Sequence, residues 1–255
     1  MSLVALDEDF HVHSVFSDDA VSTVADNVRA ARERGLRTLC VADHVRRDTE
    51  WVPRLAAAVA ACRDQPGPRV LAGVEAKILD TAGRLDLPPH LDDGIDLVLI
   101  ADHQFPAADG PAHPDRVRAA IDGGELTAAE AIEQLCEATG NALHATARGR
   151  VLAHLFSLLP KIGLDEAMVP APLLGRLAER VARAGAMVEV NEKWACPSPR
   201  TAAAMLRAGV TVVAGSDSHR CDDVGVYRSV RLTTGQLTTG QPVADGPGGG
   251  TGGPA

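Results

Sequence analysis

The chain has 255 residues, 45% hydrophobic but only 3% aromatic, and a net charge of −9. That length suits one large core better than two small ones. Its acidity argues against extended nucleic-acid binding, which draws its affinity from lysine and arginine on phosphates.

The amino terminus, with Asp7, Glu8 and Asp9, lacks the basic and apolar segments of a signal peptide. No apolar run reaches the ~18 residues of a membrane span. Five scattered cysteines (Cys40, Cys62, Cys136, Cys196, Cys221) suggest neither a disulfide framework nor a CxxC zinc site, and they fit a reducing cytoplasm. Nothing in the sequence fixes an oligomeric state.

In chain order, short β-branched runs predict strands at 9–13, 37–42, 70–76, 95–101, 151–154, 186–191 and 210–215. Helical patterns fall between most of them. The first, at 22–34, carries Val24, Val28 and Ala31 on one face and stops at Gly35; others span 52–63, 172–184 and 201–208. Such alternation implies a parallel sheet, closed as a barrel or open and doubly wound. The segment 104–150 is long for a simple crossover. It holds one well-signalled helix, opened by a Thr127–Glu130 capping box and followed by Ala131, Ile132, Leu135 and Cys136. We read it as an insertion on the outer ring or over the mouth. The core domain is expected over 1–232. The Gly/Pro/Thr-rich tail, 233–255, is expected to be disordered because its composition offers no apolar surface to bury.

Six of the nine histidines fall at the carboxyl ends of predicted strands: His11, His13, His44, His103, His154 and His219. Those ends form the functional face of parallel β/α architectures. Glu75 ends the third strand, Asp217 follows the seventh, and Asp18 lies in the loop after the first. Each residue alone is as well explained by a cap or a satisfied structural role. Together they have the composition of a transition-metal site, since imidazole mixed with carboxylate suits Zn, Mn or Fe better than Mg or Ca. His11 and His13 share one side of a strand through its period of two. His90, His113 and His144 read as surface loop residues. Asp43 and Asp102, each just before a histidine, either orient ligands or cap turns.

These residues resemble a known family. H-V-H-S-V-F-S-D, from His11 to Asp18, resembles the first motif of the PHP (polymerase and histidinol phosphatase) family, HxHTxxSD. V-A-D-H ending at His44, then Glu75, His103, His154 and the final S-D-S-H from Ser216 to His219, complete the set. The resemblance implies a distorted (β/α)7 barrel with three divalent transition metals. It implies one metal on His11, His13, Glu75 and Asp217, a second on Glu75, His103 and His154, and a third on Asp18, His44 and His219. Asp19 departs from the glycine usual at its position.

The expected reaction is hydrolysis of a small anionic phosphate monoester, histidinol-phosphate-like or nucleotide. A hydroxide bridging the Glu75-linked pair attacks phosphorus, and Glu75, Asp217 and His219 carry the catalysis. An amide or cyclic-phosphodiester hydrolase on the same metals, and a non-catalytic regulatory module, are the other readings. Only three basic residues are lysines: Lys77, Lys161 and Lys193. Lys161 and Lys193, with Asn191 nearby, are candidate substrate contacts. Arg148 and Arg150 start a strand and so belong at the opposite, stability face.

Overall fold

The computed structural model describes residues 4–239. Strand β1 (Glu8–Val12) leads to helix α1 (Val24–Glu33), β2 (Thr38–His44), α2 (Val52–Arg63), β3 (Arg69–Lys77) and β4 (Leu97–Ala101). A short hairpin, β5 (Phe105–Ala107) and β6 (Gly110–Ala112), precedes α3 (Pro114–Asp122) and α4 (Ala128–Ala142). The chain then continues through β7 (Gly149–Leu152), α5 (Ala171–Ala184), β8 (Met187–Asn191), α6 (Pro199–Arg207), β9 (Thr211–Gly215) and α7 (Ser229–Thr239).

Seven strands pair in parallel in the order β1-β2-β3-β4-β7-β8-β9, with helices outside. The period-two side-chain alternation sorts residues between the two faces of this sheet. Leu39, Val41, Val98 and Ile100 face the helices in the outer core, whereas Cys40, Ala42, Leu97, Leu99, Ala101, Val151 and Ala153 form a separate cluster inside the ring. The last strand meets the first through Asp217 N–H donating to His11 O at 2.8 Å and His13 N–H to Ser218 O at 2.8 Å. Deeper in this seam a side chain replaces the ladder. The fully buried Asp9 carboxylate accepts from Ser216 N (2.9 Å), Gly225 N (2.8 Å) and His11 N (3.3 Å). Burial pushes the Asp9 pKa up to about 6 despite these bonds. The fold is a nearly closed, distorted (β/α)7 barrel, as the resemblance implies.

All seven predicted strands and all five predicted helices occur. The 104–150 segment divides in two. Helix α4 is the crossover helix between β4 and β7, because Ala131, Ile132, Leu135 and Cys136 join the outer core. The hairpin and α3 are the added parts. The boundary placed at 232 cuts a helix: α7 runs through residues 233–239, with Thr233 and Thr234 buried. Its start is pinned by Glu192, whose carboxylate accepts from Arg228 N, Ser229 N and Val230 N at 2.9–3.1 Å. Composition missed this anchor because it comes from a distant loop. The rest of the expected tail, 240–255, lies outside the described residues. No helix among the described residues is long and apolar enough to cross a membrane, and all five cysteines are free.

One packing constraint is severe. A Cβ on Gly215 would stand 1.8 Å from Glu189 Oε1 and 2.9 Å from His11 Cβ. Gly215→Ala should therefore cost about 2 kcal/mol or more by forcing a buried carboxylate aside. A melting temperature equal to that of the unsubstituted protein would show that the interior yields there.

Candidate metal centre

The barrel brings the strand-end histidines around one carboxylate. Glu75, 1% exposed at the end of β3, takes His103 Nε2 at 3.0 Å and His154 Nε2 at 2.9 Å on its Oε1. Its Oε2 faces His44 Nδ1 at 2.7 Å, His11 Nε2 at 3.5 Å and His13 Nε2 at 3.6 Å. That oxygen makes no hydrogen bond of acceptable geometry despite these three neighbours. Asp217 Oδ1 lies 3.4 Å from His13 Nε2. Potential ligand atoms of His11, His13 and Asp217, of His44, Glu75 and His103, and of His13, His44 and His219 lie within 4.8 Å of one another.

Hydrogen-bond partners fix the imidazole tautomers. His11 Nδ1 faces the buried Glu189 carboxylate at 3.1 Å. The Ser17 hydroxyl donates to Asp43 at 2.7 Å, so it can only accept from His13 Nδ1 at 3.2 Å. His154 Nδ1 meets Ser157 Oγ at 3.0 Å and Asp102 Oδ1 at 3.4 Å. His219 Nδ1 donates to Asp217 O at 2.9 Å. In these four rings Nδ1 carries hydrogen, which leaves Nε2 as the nitrogen that can give a lone pair to a cation, proton or metal. His11 Nε2 and His13 Nε2 are 3.0 Å apart. Two lone pairs at that distance repel unless a proton or a metal ion occupies one of them. Buried donors of this type, with an unsatisfied carboxylate oxygen, fit divalent transition metals.

In the metal-free protein, protons substitute for cations. Burial alone would lower the His154 pKa, but Asp102 and Glu75 raise it to about 10. Burial likewise opposes a charge on His11, yet Glu189, Glu75 and Asp217 hold its pKa well above the usual range. Burial pushes His13 down to about 3. Glu75 resists burial through His103 and His11, and Asp217 chiefly through His11, so both carboxyls stay well below their usual range. The backbone is strained at the same place. His154 and Asp217, both non-glycine, hold φ of 31° and 55°.

The model of the PHP domain family matches residues 9–193. The chain belongs to the PHP domain family. A protein named a probable phosphatase from Caldanaerobacter subterraneus is 26% identical over 88% of this chain and 81% of its own length. One of the same name from Vibrio parahaemolyticus is 31% identical over 47% of this chain, a match spanning about half (50%) of that relative. Among solved structures, histidinol phosphate phosphatase from Lactococcus lactis, complexed with zinc, L-histidinol and phosphate, superposes with a TM-score of 0.64. It covers 90% of this chain and 93% of its own, at 14% identity, a likeness of fold.

Within this PHP domain, eight of the nine expected ligands converge. Asp18 does not: its side chain is 81% exposed and stands 3.9 Å from Arg46. Asp19 takes that place, with Oδ2 at 3.1 Å from His219 Nε2 and 3.7 Å from His44 Nε2. Asn191 is not presented to a substrate either. It is fully buried, donating to Glu189 Oε1 at 3.0 Å and accepting Trp194 N–H at 2.8 Å. Lys193 Nζ lies 3.6 Å from Asp217 Oδ1, and Lys161 Nζ 4.0 Å from the Trp194 ring centroid. Arg150 bonds the carbonyls of Leu143, Thr146 and Ala184 at the far end, as its strand-start position implied. His90, His113 and His144 are exposed; His113 caps α3.

Asp43 and Asp102 do both: Asp43 caps a turn at Ser14 N (2.7 Å) and Ser17 N (3.1 Å) and reaches His13 through the Ser17 hydroxyl, and Asp102 accepts Leu158 N at 3.3 Å and faces His154 Nδ1 at 3.4 Å. Glu189 escaped the sequence reading. Besides His11, it accepts His154 N–H at 2.8 Å, so one carboxylate positions two histidines. Its signal was an acid inside the valine-rich run V-E-V-N, two residues before Asn191 on the inward face.

Two measurements check this centre. Asp19→Asn should lower bound metal by about one equivalent while Asp18→Asn leaves it unchanged; the reverse pattern would return the role to Asp18. His154, at about 10, carries a proton at pH 7 in the metal-free protein. Metal binding should therefore release protons, and affinity should climb as pH rises toward 10. Calorimetry in buffers of different ionisation enthalpy reads this directly, and binding without proton release would contradict the assigned protonation.

Proposed function

We propose that this PHP domain is a metal-dependent phosphoesterase acting on a small anionic phosphate monoester. The observation that carries the reading is the buried convergence of imidazole lone pairs on Glu75 at the open end of the barrel. His11, His13, Glu75 and Asp217 would hold one cation; Glu75, His103 and His154 a second; Asp19, His44 and His219 a third. Three divalent ions bring six positive charges against three carboxylates, so an acidic protein presents a cationic mouth. Bound there, the metals would acidify a water and neutralise the phosphoryl oxygens. A cleft of about 560 Å³ opens from Asp217 and His219 past Lys193, Arg220 and Arg228, with room for the organic part of the ester.

The chain's own residues divide the remaining work. Glu75, with one oxygen toward each of two histidine groups, would help to hold two of the cations. Glu189, Asp102 and the Asp43–Ser17 pair hold the rings still, so reorganisation during reaction is small. Lys161 and Lys193 supply mobile point charges for the phosphate oxygens. The names of the relatives, and the zinc, histidinol and phosphate bound to the Lactococcus lactis enzyme, support this class of substrate. A histidinol-phosphate-like ester and a nucleotide are the two candidates. Near-complete retention of the ligands weighs against a non-catalytic module.

Metal-reconstituted protein should hydrolyse p-nitrophenyl phosphate, and a chelator should abolish the activity. Glu75→Gln should lose at least about a hundredfold in kcat while the fold survives. Hydrolysis of amides alone across a screen of esters and amides would overturn the phosphoesterase reading.

A further inference from the structure

The turn after β8 carries one of only two tryptophans in the chain. Trp194 is 40% exposed, so apolar burial does not explain its position. Its backbone N–H is anchored on Asn191 Oδ1 at 2.8 Å, and its indole Nε1–H donates to Asp217 Oδ2 at 3.0 Å. That bond engages one oxygen of Asp217, reinforced by Asn191 Nδ2 at 3.4 Å. The other oxygen, Oδ1, faces His13 Nε2 at 3.4 Å. The indole thus selects which carboxylate oxygen is left for a cation.

The ring face does something separate. Lys161 Nζ sits 4.0 Å above its centroid. This ammonium is half-buried and has no carboxylate within ion-pair distance among the described residues, in a protein with nine more acidic than basic side chains. Burial holds its pKa below the ordinary lysine value. A π face steadies a cation without neutralising it. The ring also lies 6.1 Å from that of His154, which places the pair at the metal centre.

We propose that Trp194 is a positioning residue with two duties: its N–H makes Asp217 a single-oxygen ligand, and its ring holds Lys161 unpaired over the mouth to meet the phosphoryl group. The second duty rests on the phosphoesterase reading; the first does not. Trp194→Phe separates them, because it removes the N–H and keeps a ring. Trp194→Leu removes both.

The test uses metal affinity by chelator competition, the visible spectrum of the cobalt-loaded protein, and calorimetric affinity of the metal-loaded protein for inorganic phosphate. None of these needs turnover. Trp194→Phe should weaken metal binding about tenfold and alter the cobalt spectrum, with phosphate affinity within about twofold. Trp194→Leu should weaken phosphate binding as much as Lys161→Ala does, and the double variant should be no worse than either. Unchanged metal affinity and spectrum in Trp194→Phe would overturn the first duty. Independent, multiplying losses from Trp194→Leu and Lys161→Ala, or no loss from either, would overturn the second. Should the Leu variant fail to fold, phosphate binding by Lys161→Ala and metal binding by Trp194→Phe still decide. Wild-type protein that binds phosphate through Lys161 yet hydrolyses no phosphate ester would sink the phosphoesterase reading and the second duty with it; the first duty, read from metal binding alone, would stand.

Discussion

A carboxylate buried among imidazoles is the constraint on which the rest of this structure depends. Glu75 is sealed from water, and the ring nitrogens of five histidines lie within 2.7–3.6 Å of its two oxygens. A group of this kind is costly unless countercharge is supplied. Hydrogen bonds at the outer edges of the His11, His13 and His154 rings prevent these three from simply turning away. The fold meets the conflict with imidazoles that could hold cations and, without them, with protons on His11 and His154.

The barrel is shaped around that requirement. Inside the ring, small residues (Ala42, Gly73, Ala101, Ala153 and Gly215) leave room for long polar side chains near the open end. Gly73 has Cys40 Sγ 2.9 Å from where its Cβ would be. Asp9 closes the seam where β1 and β9 lack a full ladder, which keeps His11 and Asp217 on adjacent strand ends. Strain at His154 and Asp217 is carried by the same bonds that fix the ligands, Glu189 to the His154 N–H and His11 O to the Asp217 N–H. Stability and site geometry are therefore coupled through a few buried carboxylates.

Much of this was legible in the sequence because strand periodicity and strand ends are local signals. Seven β-branched runs, each ending in or followed by a polar residue, pointed to a parallel α/β sheet and to eight side chains that converge; its closure as a barrel came from the motif resemblance. What failed depended on contacts between distant segments. Asp18 and Asp19 are neighbours in one loop, and only the packing of that loop against His44 and His219 chooses between them. Asn191 looked available because it ends a strand, yet the turn to Cys196 closes over it. Glu189 was hidden as an ordinary strand residue, and α7 because its anchor, Glu192, lies 37 residues before its first residue. Helix α3 buries a single side chain, Val117, too little to leave a periodic pattern.

The central claim is that the buried cluster is a multi-metal centre. It is tested most directly by elemental analysis of protein purified without chelators, alongside anomalous scattering from its crystals. The account predicts about three equivalents of zinc, manganese or iron per chain, with anomalous peaks on both sides of Glu75 and beside Asp19. At most one equivalent bound by fully folded protein, or peaks away from Glu75, would contradict it.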